Sequence, residues 1–195
     1  MTTITTEDIK ALRDVTGVSI MQCKKALEEA QGDMEKAKVI LRKASAISAA
    51  KKADRELGAG VVSAYVHAGG TVLGAVVLAC ETDFVSKNEE FSKLAYSIAM
   101  QVAALAPQFK SREDVKESDL AAAKAVFEGE AANVPEANRA KAIEGKIDSY
   151  LRERVLLEQS FVKDPSVTIK ELIDQASQKF GEKVVLVRYE RLSVK

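Results

Sequence analysis

The chain has 195 residues, and its 29 basic side chains balance 29 acidic ones, so the formal net charge is zero. This balance excludes a strong overall field that would draw the whole molecule to nucleic acid or to an anionic membrane. Hydrophobic residues make up 47% of the chain and charged residues 30%, which is typical of a soluble globular protein. No segment approaches the roughly 18 to 20 apolar residues of a membrane span, and no cationic stretch precedes an apolar run at the N-terminus. We therefore expect a cytoplasmic protein that does not associate with membranes.

The cysteine and histidine content predicts no metal centre and no cofactor. Two cysteines and one histidine are too few for a disulfide framework or a zinc cluster. His67 could act as a general base, but no partner for it is indicated, so we interpret it as an exposed turn residue. Cys23 precedes two lysines that could lower its thiol pKa, yet free cysteine is commonly buried as a small hydrophobe. A half-buried helix cysteine is the favoured interpretation, and a cysteine-dependent enzyme is the weaker alternative.

The first fifty residues predict three short helices. Thr5 or Thr6 can cap the first helix, and Ser19 with Gln22 has the spacing of a capping box for the second. Asp33 can cap the third helix. The apolar stripes expected to face inward are Ile20, Leu27 and Ala30 in the second helix, and Met34, Ala37, Ile40 and Leu41 in the third.

The spacing of the apolar residues changes after these helices. The alanine-rich segment 43–60 lacks a strong apolar stripe and predicts a helical linker. From Gly60 onward, two strand-like runs flank Gly69 and Gly70, a pair that can adopt the positive φ angles of tight hairpin turns. We therefore expect a β-hairpin after the linker.

The stretch "CETDFVSKNEE", residues 80–90, joins the second run to a helical segment. Ser86 and Glu89 have capping-box spacing, which predicts a helix start there. Phe84 lies just before that start and allows two interpretations. It could fold inward and close the sheet edge, as aromatic residues usually do. It could instead be a wedge held on a rigid junction and presented to a partner.

The rest of the chain predicts helices around a small sheet. A helix with an apolar stripe follows the junction and should end before Pro107. Segment 112–130 is weakly amphipathic and predicts an exposed hairpin arm, and a further helix should begin near Pro135. A last helix follows Thr168 and should end at Gly181, before an alternating strand. This order is typical of an α+β fold with an antiparallel sheet.

Two motifs resemble the elongation factor Ts family. They are "LRDVTGVSIMQCKKALEEAQGDMEKAKVILRK", residues 12–43, and "CETDFVSKNEEF", residues 80–91. Shorter matches such as "AAKKADRE", "IAMQVAA" and "LLEQSFVKD" follow in family order. The resemblance extends over essentially the whole chain.

The resemblance implies a guanine nucleotide exchange factor for elongation factor Tu, which it binds in the GDP-bound and nucleotide-free states. It implies no enzymatic reaction and no direct contact with nucleic acid. It also implies a ubiquitin-associated-like three-helix module with a helical linker over residues 1–55, and an α+β core over 56–195. The module would dock on the partner's G domain through Arg13, Ile20 and Met21.

The family's signature motif corresponds here to Thr82, Asp83, Phe84 and Val85. The resemblance implies that these four residues intrude near the magnesium site of the partner. Phe84 would be the wedge, and Asp83 would disturb the magnesium and phosphate environment.

The sequence departs from the family pattern at several positions. Val18, Ser19 and Gln22 alter the usual "TGAGMMDCKKAL", and Gln101 replaces a common histidine. The chain has room for one core module where longer members carry two. We therefore hypothesise that it forms a homodimer. The competing class is an interaction module that binds without promoting exchange, which would leave the "TDFV" motif unexplained.

Overall fold

The computed structural model of the chain describes residues 4–194, apart from the side chain of Ala68. Residues 1–3 and 195, the outer ends of the two predicted domains, lie outside the described residues. The helices and strands that are described are α1 (Thr6–Thr16), α2 (Ile20–Glu29), α3 (Met34–Ala50), β1 (Ala59–His67), β2 (Val72–Cys80), α4 (Asp83–Ser86), α5 (Glu89–Leu105), α6 (Glu117–Glu130), α7 (Glu136–Arg154), β3 (Ser160–Phe161), β4 (Asp164–Thr168), α8 (Ile169–Phe180) and β5 (Val185–Ser193).

The strands confirm the predicted α+β class. Strands β1, β2 and β5 form an antiparallel sheet with β2 in the middle, and β3 pairs with β4 in a separate antiparallel ribbon. Gly69 and Gly70 have φ angles of 67° and 91° between β1 and β2, as the hairpin prediction requires. The hairpin therefore supplies two of the three strands of the main sheet.

The residue contacts divide the chain into two compact units. The first unit contains the chain up to Ser63, Val76–Ser97 and Lys170–Val187. The second contains Ala64–Ala75, Ile98–Ile169 and the chain from Arg188 onward. The division into domains at residues 55 and 56 stays a prediction.

Three capped helices begin the first unit. The Thr5 side chain accepts from the backbone N–H of Asp8, Ser19 accepts from that of Gln22, and Asp33 caps α3. These caps were predicted. The stripe predicted for α2 is wrong at Ile20, which is 54% exposed because it lies in the first turn, beyond the buried cluster. That cluster consists of Leu12, Val18, Cys23, Ala26, Leu27, Ala30, Ala37 and Leu41.

The start of α5 corrects one prediction. Ser86 and Glu89 do not form a capping box, because Ser86 lies buried at the end of α4 and its hydroxyl donates to the carbonyl oxygen of Asp83. The Asn88 side chain instead accepts from the backbone N–H of Glu90 at 2.8 Å. Asn88 therefore caps α5, which begins at Glu89.

In the second unit, α6 covers most of the segment predicted to be an exposed arm, and it packs against α7. Every residue of α6 is exposed or half-buried. Phe127 meets Tyr150 of α7 edge to face with 5.9 Å between ring centroids, and Glu130 pairs with Lys146. Helix α7 begins directly after Pro135, as predicted.

Gln101 is fully buried in the second unit and has hydrogen-bond partners on both sides of its amide. Its Nε2 donates to Gln159 Oε1 at 3.2 Å and to the Ser160 carbonyl oxygen at 3.0 Å. Its Oε1 accepts from the backbone N–H of Val162 at 2.9 Å. Gln101 thus links α5 to the ribbon that contains β3.

Candidate partner-binding site

The "TDFV" motif lies at a single helical turn, α4, between β2 and α5. Val85 is 3% exposed and Ser86 is also buried, whereas Phe84 is 83% exposed. Adjacent helix positions point about 100° apart, so burial of Val85 and Ser86 turns Phe84 outward. The interpretation of Phe84 as a core residue is therefore wrong, and its aromatic ring is presented to solvent.

The N-terminal side of this turn is held by Glu182, which follows α8. Its carboxylate accepts hydrogen bonds from the backbone N–H groups of Glu81 at 3.1 Å and of Thr82 at 3.0 Å. It also accepts from the Thr82 hydroxyl at 2.5 Å. Hydrogen bonds to an ionised acceptor are stronger than neutral ones, so these three bonds fix the backbone just before α4.

Glu81 is held in turn by two partners. Its carboxylate accepts from the backbone N–H of Lys183 at 2.5 Å and pairs with Arg55 at 3.1 Å. The Lys183 N–H and then the Arg55 guanidinium hold the pKa of Glu81 below its usual value. The residues that precede the turn are therefore tied both to the linker after α3 and to the segment after α8.

Asp83 carries a negative charge beside Phe84. Lys87 pairs with it at 2.6 Å, and both side chains are about three-quarters exposed. The hydrogen bond from Lys87 holds the pKa of Asp83 below its usual range. An exposed pair of this kind contributes little to stability and separates easily. The carboxylate can therefore take a different partner at a binding surface.

A second exposed surface lies on α1 and α2. Ile20 and Met21 begin α2 and are 54% and 76% exposed, and Arg13 is exposed near the end of α1. Val15, which the sequence reasoning missed, is 70% exposed in the same part of α1. We call Val15, Ile20 and Met21 the helical patch. Large apolar side chains that stay exposed are candidates for an interaction surface.

The thiols and the histidine show no catalytic arrangement. Cys23 and Cys80 are fully buried, and burial raises the pKa of both thiols. His67 is exposed, as predicted, and its Nδ1 lies 2.9 Å from the Tyr65 hydroxyl. Within residues 4–194, no group of histidine, cysteine, aspartate and glutamate side chains could hold a metal ion. Across the same part of the chain, no helix combines the length and apolar character needed to cross a membrane.

Comparison with known proteins decides the family. The model of the family described as elongation factor TS matches residues 3–194. The chain belongs to the elongation factor Ts family. The predicted resemblance is confirmed, and with it the general role of a translation elongation factor.

Curated members of the elongation factor Ts family match over nearly their whole length. The elongation factor Ts of Carboxydothermus hydrogenoformans is 45% identical over 98% of this chain and 89% of its own. That of Moorella thermoacetica is also 45% identical, over 98% of this chain and 95% of its own. The Herpetosiphon aurantiacus protein is 43% identical, with 98% of each chain covered. The chain therefore corresponds to almost the whole length of these relatives.

The structure gathers the predicted site residues into two groups. Thr82, Asp83 and Phe84 are exposed at the α4 turn, whereas Val85 is buried beneath it. Arg13, Ile20 and Met21 are exposed on α1 and α2. Their roles in partner binding stay predictions. Sequence reasoning missed Glu182, because its partners are about 100 residues away and no local spacing indicates them.

Proposed function

We propose that the chain is a guanine nucleotide exchange factor for elongation factor Tu and acts in the cytoplasm. It binds the GDP-bound partner, promotes GDP release and stays bound to the nucleotide-free form. The observation that carries the proposal is the 83% exposure of Phe84 on a turn anchored on both sides. No covalent bond is made or broken, so the chain is a binding protein and not an enzyme.

The α4 turn provides the elements of the exchange step. Phe84 enters the partner beside its magnesium and phosphate groups and displaces the elements that hold them. The carboxylate of Asp83 adds a negative charge near the phosphates, which weakens nucleotide binding through repulsion. Thr82 and Val85 keep the turn in place, Thr82 through Glu182 and Val85 through burial.

The energy required exceeds what Phe84 alone can supply. Each tenfold acceleration of GDP release lowers the barrier by about 1.4 kcal/mol, so a ten-thousandfold effect needs roughly 5.5 kcal/mol. Burying one phenylalanine side chain contributes only about 1.5 to 3 kcal/mol. The factor and the nucleotide weaken each other's binding equally, so the factor needs binding energy to displace the nucleotide. Other surfaces of the factor must supply the part of this energy that Phe84 cannot.

The helical patch is the second contact in this proposal. Its apolar side chains, together with the charge of Arg13, dock on the G domain of the partner. Residues 1–55 then form a ubiquitin-associated-like module with its linker, and residues 56–195 form the exchange core. The buried cluster shared by α1, α2 and α3 supports a module with its own core.

We also propose that the free factor is a homodimer. Val62 and Val66 on β1 are 77% and 58% exposed. Burying such side chains against a second copy would remove apolar surface from water. Light scattering tests this directly. A mass of one chain for the free factor, together with a one-to-one complex, would rule the dimer out.

Release of fluorescently labelled GDP from elongation factor Tu tests the proposed function. With the chain present, release should accelerate by orders of magnitude and should saturate as the factor concentration rises. An interaction module without exchange activity would form the complex and leave the release rate unchanged. That second result would refute the exchange activity and would still support elongation factor Tu as the partner.

A further inference from the structure

The last three residues of α8 and the three that follow them, residues 178–183, contact several other parts of the first unit in succession. We call this segment the 178–183 junction. The Gln178 side chain accepts from the hydroxyl of Ser45 on α3. Lys179 pairs with Glu90, the second residue of α5, at 2.6 Å. Phe180 meets Phe91 edge to face at 5.9 Å. The junction therefore joins α3 to the start of α5, directly beyond the "TDFV" turn.

The α4 turn cannot fix its own orientation. It has four residues, and forming a first helical turn is unfavourable because several backbone dihedrals are fixed for one hydrogen bond. Thr82 stands at the N-cap position, yet its side chain makes no capping bond to α4. Its hydroxyl donates to Glu182 instead, together with two backbone N–H groups. The direction in which α4 begins is therefore set by a carboxylate outside the turn.

Glu182 is itself held on both sides along the chain. Gly181 ends α8 with a φ angle of 74°, which favours glycine, and its carbonyl oxygen accepts from Arg55 at 3.2 Å. On the other side, the Lys183 ammonium group donates to the carbonyl oxygens of Ala53 at 2.6 Å and Arg55 at 2.9 Å. The acceptor that orients Thr82 therefore has a defined place relative to the linker.

We infer that Glu182 is a positioning residue for nucleotide exchange: it holds Thr82 so that α4 presents Phe84 in the direction that reaches the partner's nucleotide site. The inference rests on the proposed function. Glu182 acts through the backbone of Glu81 and Thr82 and contacts no nucleotide. Its loss leaves the contacts of Glu81 and the burial of Val85 and Ser86 to hold the turn. The turn therefore persists, but Phe84 samples several directions.

Substitution of Glu182 separates positioning from binding. With Glu182→Ala, the maximal rate of labelled-GDP release from elongation factor Tu should fall about tenfold. The factor concentration at half-maximal rate should change less than threefold, because the helical patch is intact. Glu182→Gln keeps one oxygen acceptor and should retain most of the rate. Glu190→Ala, which removes an exposed glutamate paired with Arg188, is the matched control and should behave like wild type.

Thr82 provides a milder test, because its side chain is exposed and uncharged. Thr82→Val removes only the hydroxyl donor and should lower the maximal rate several-fold, whereas Thr82→Ser should restore it. Thermal melting of each variant shows whether the fold is retained. If positioning is the cause, the maximal rate should fall with the number of hydrogen bonds to Glu182 that each variant loses. If the rate instead falls in proportion to the drop in melting temperature across the variants, the inference is overturned.

The double variant with Phe84→Ala gives the decisive readout. If Glu182 acts by orienting Phe84, Glu182→Ala should have almost no further effect on the maximal rate once the ring is absent. Equal fold losses in both backgrounds would show a merely structural role and would overturn the inference. If wild type fails to accelerate release, or Phe84→Ala leaves the rate unchanged, the proposed function itself fails. A wild-type rate for Glu182→Ala, with Phe84→Ala impaired, refutes only the positioning role.

Discussion

Phe84 and Val85 are adjacent in the chain but lie in opposite environments, since Phe84 is 83% exposed and Val85 is 3% exposed. The contrast divides the α4 turn into a presented side chain and an anchoring side chain. Val85 joins the turn to the buried part of the first unit, and Phe84 contributes its ring to the surface. Their substitutions should therefore have separable consequences for stability and exchange.

Val85→Ala should lower the free energy of unfolding by about 2 kcal/mol, because it removes buried methyl groups. Phe84→Ala should leave the free energy of unfolding within about 0.5 kcal/mol of wild type, because an exposed side chain loses little packing. Urea unfolding of both variants measures the difference. A destabilisation by Phe84→Ala as large as that of Val85→Ala would indicate that the ring packs inward.

Removing residues 1–43 should weaken complex formation while the remainder stays folded. The deletion takes away the helical patch and the buried cluster of α1, α2 and α3, but keeps Ser45 and Arg55, which contact the 178–183 junction and Glu81. We expect at least a tenfold rise in the concentration needed for half-maximal GDP release. The maximal rate should change only a few-fold.

Met21→Ala tests the same contact with a single substitution. It removes one exposed side chain of the helical patch and should raise the half-maximal concentration without a change in melting temperature. A truncated chain that exchanges with wild-type concentration dependence would contradict both the docking role and the predicted module.

Acid should destabilise the wild-type fold partly through Glu81. Hydrogen bonds from Lys183 and Arg55 hold its pKa below the usual value, so the folded state favours the ionised carboxylate. This stabilisation is present above the unfolded pKa and is lost as the pH falls through the lowered folded pKa. In Glu81→Gln, melting temperature should therefore decline less steeply with acid. An acid dependence as steep as that of wild type would contradict this role.

Thiol alkylation should leave exchange unchanged. Cys23 and Cys80 are buried and the pKa of each thiol is raised, so neither is a reactive thiolate near neutral pH. Iodoacetamide should modify them only after denaturant is added, as mass spectrometry can record. Rapid modification of Cys23 in the folded protein with loss of exchange would restore the enzyme alternative.

Features decided by nearby residues were predictable from sequence. Ser19 and Asp33 cap helices through backbone N–H groups three residues away, and Gly69 with Gly70 makes the hairpin turn by local geometry. Ser86 and Glu89 also have the spacing of a capping box, but the predicted box does not form. Ser86 is drawn into the buried side of α4, and Asn88 lies at the actual start of α5.

The contacts that hold the candidate site could not be predicted from nearby residues. The sequence allowed Phe84 to face inward or outward, and burial of Val85 and Ser86 decides between them. Glu182 reaches Thr82 across about 100 residues, so only the folded chain brings them together.

The exchange activity of Phe84→Ala tests the wedge role of Phe84 most directly. Labelled-GDP release from elongation factor Tu should be measured at saturating factor for wild type, Phe84→Ala and Val126→Ala. Val126 is 57% exposed on α6 and supplies the matched loss of an exposed apolar side chain. We predict that Phe84→Ala lowers the maximal rate at least tenfold while Val126→Ala and wild type agree. Equal maximal rates for all three proteins would contradict the wedge role of Phe84.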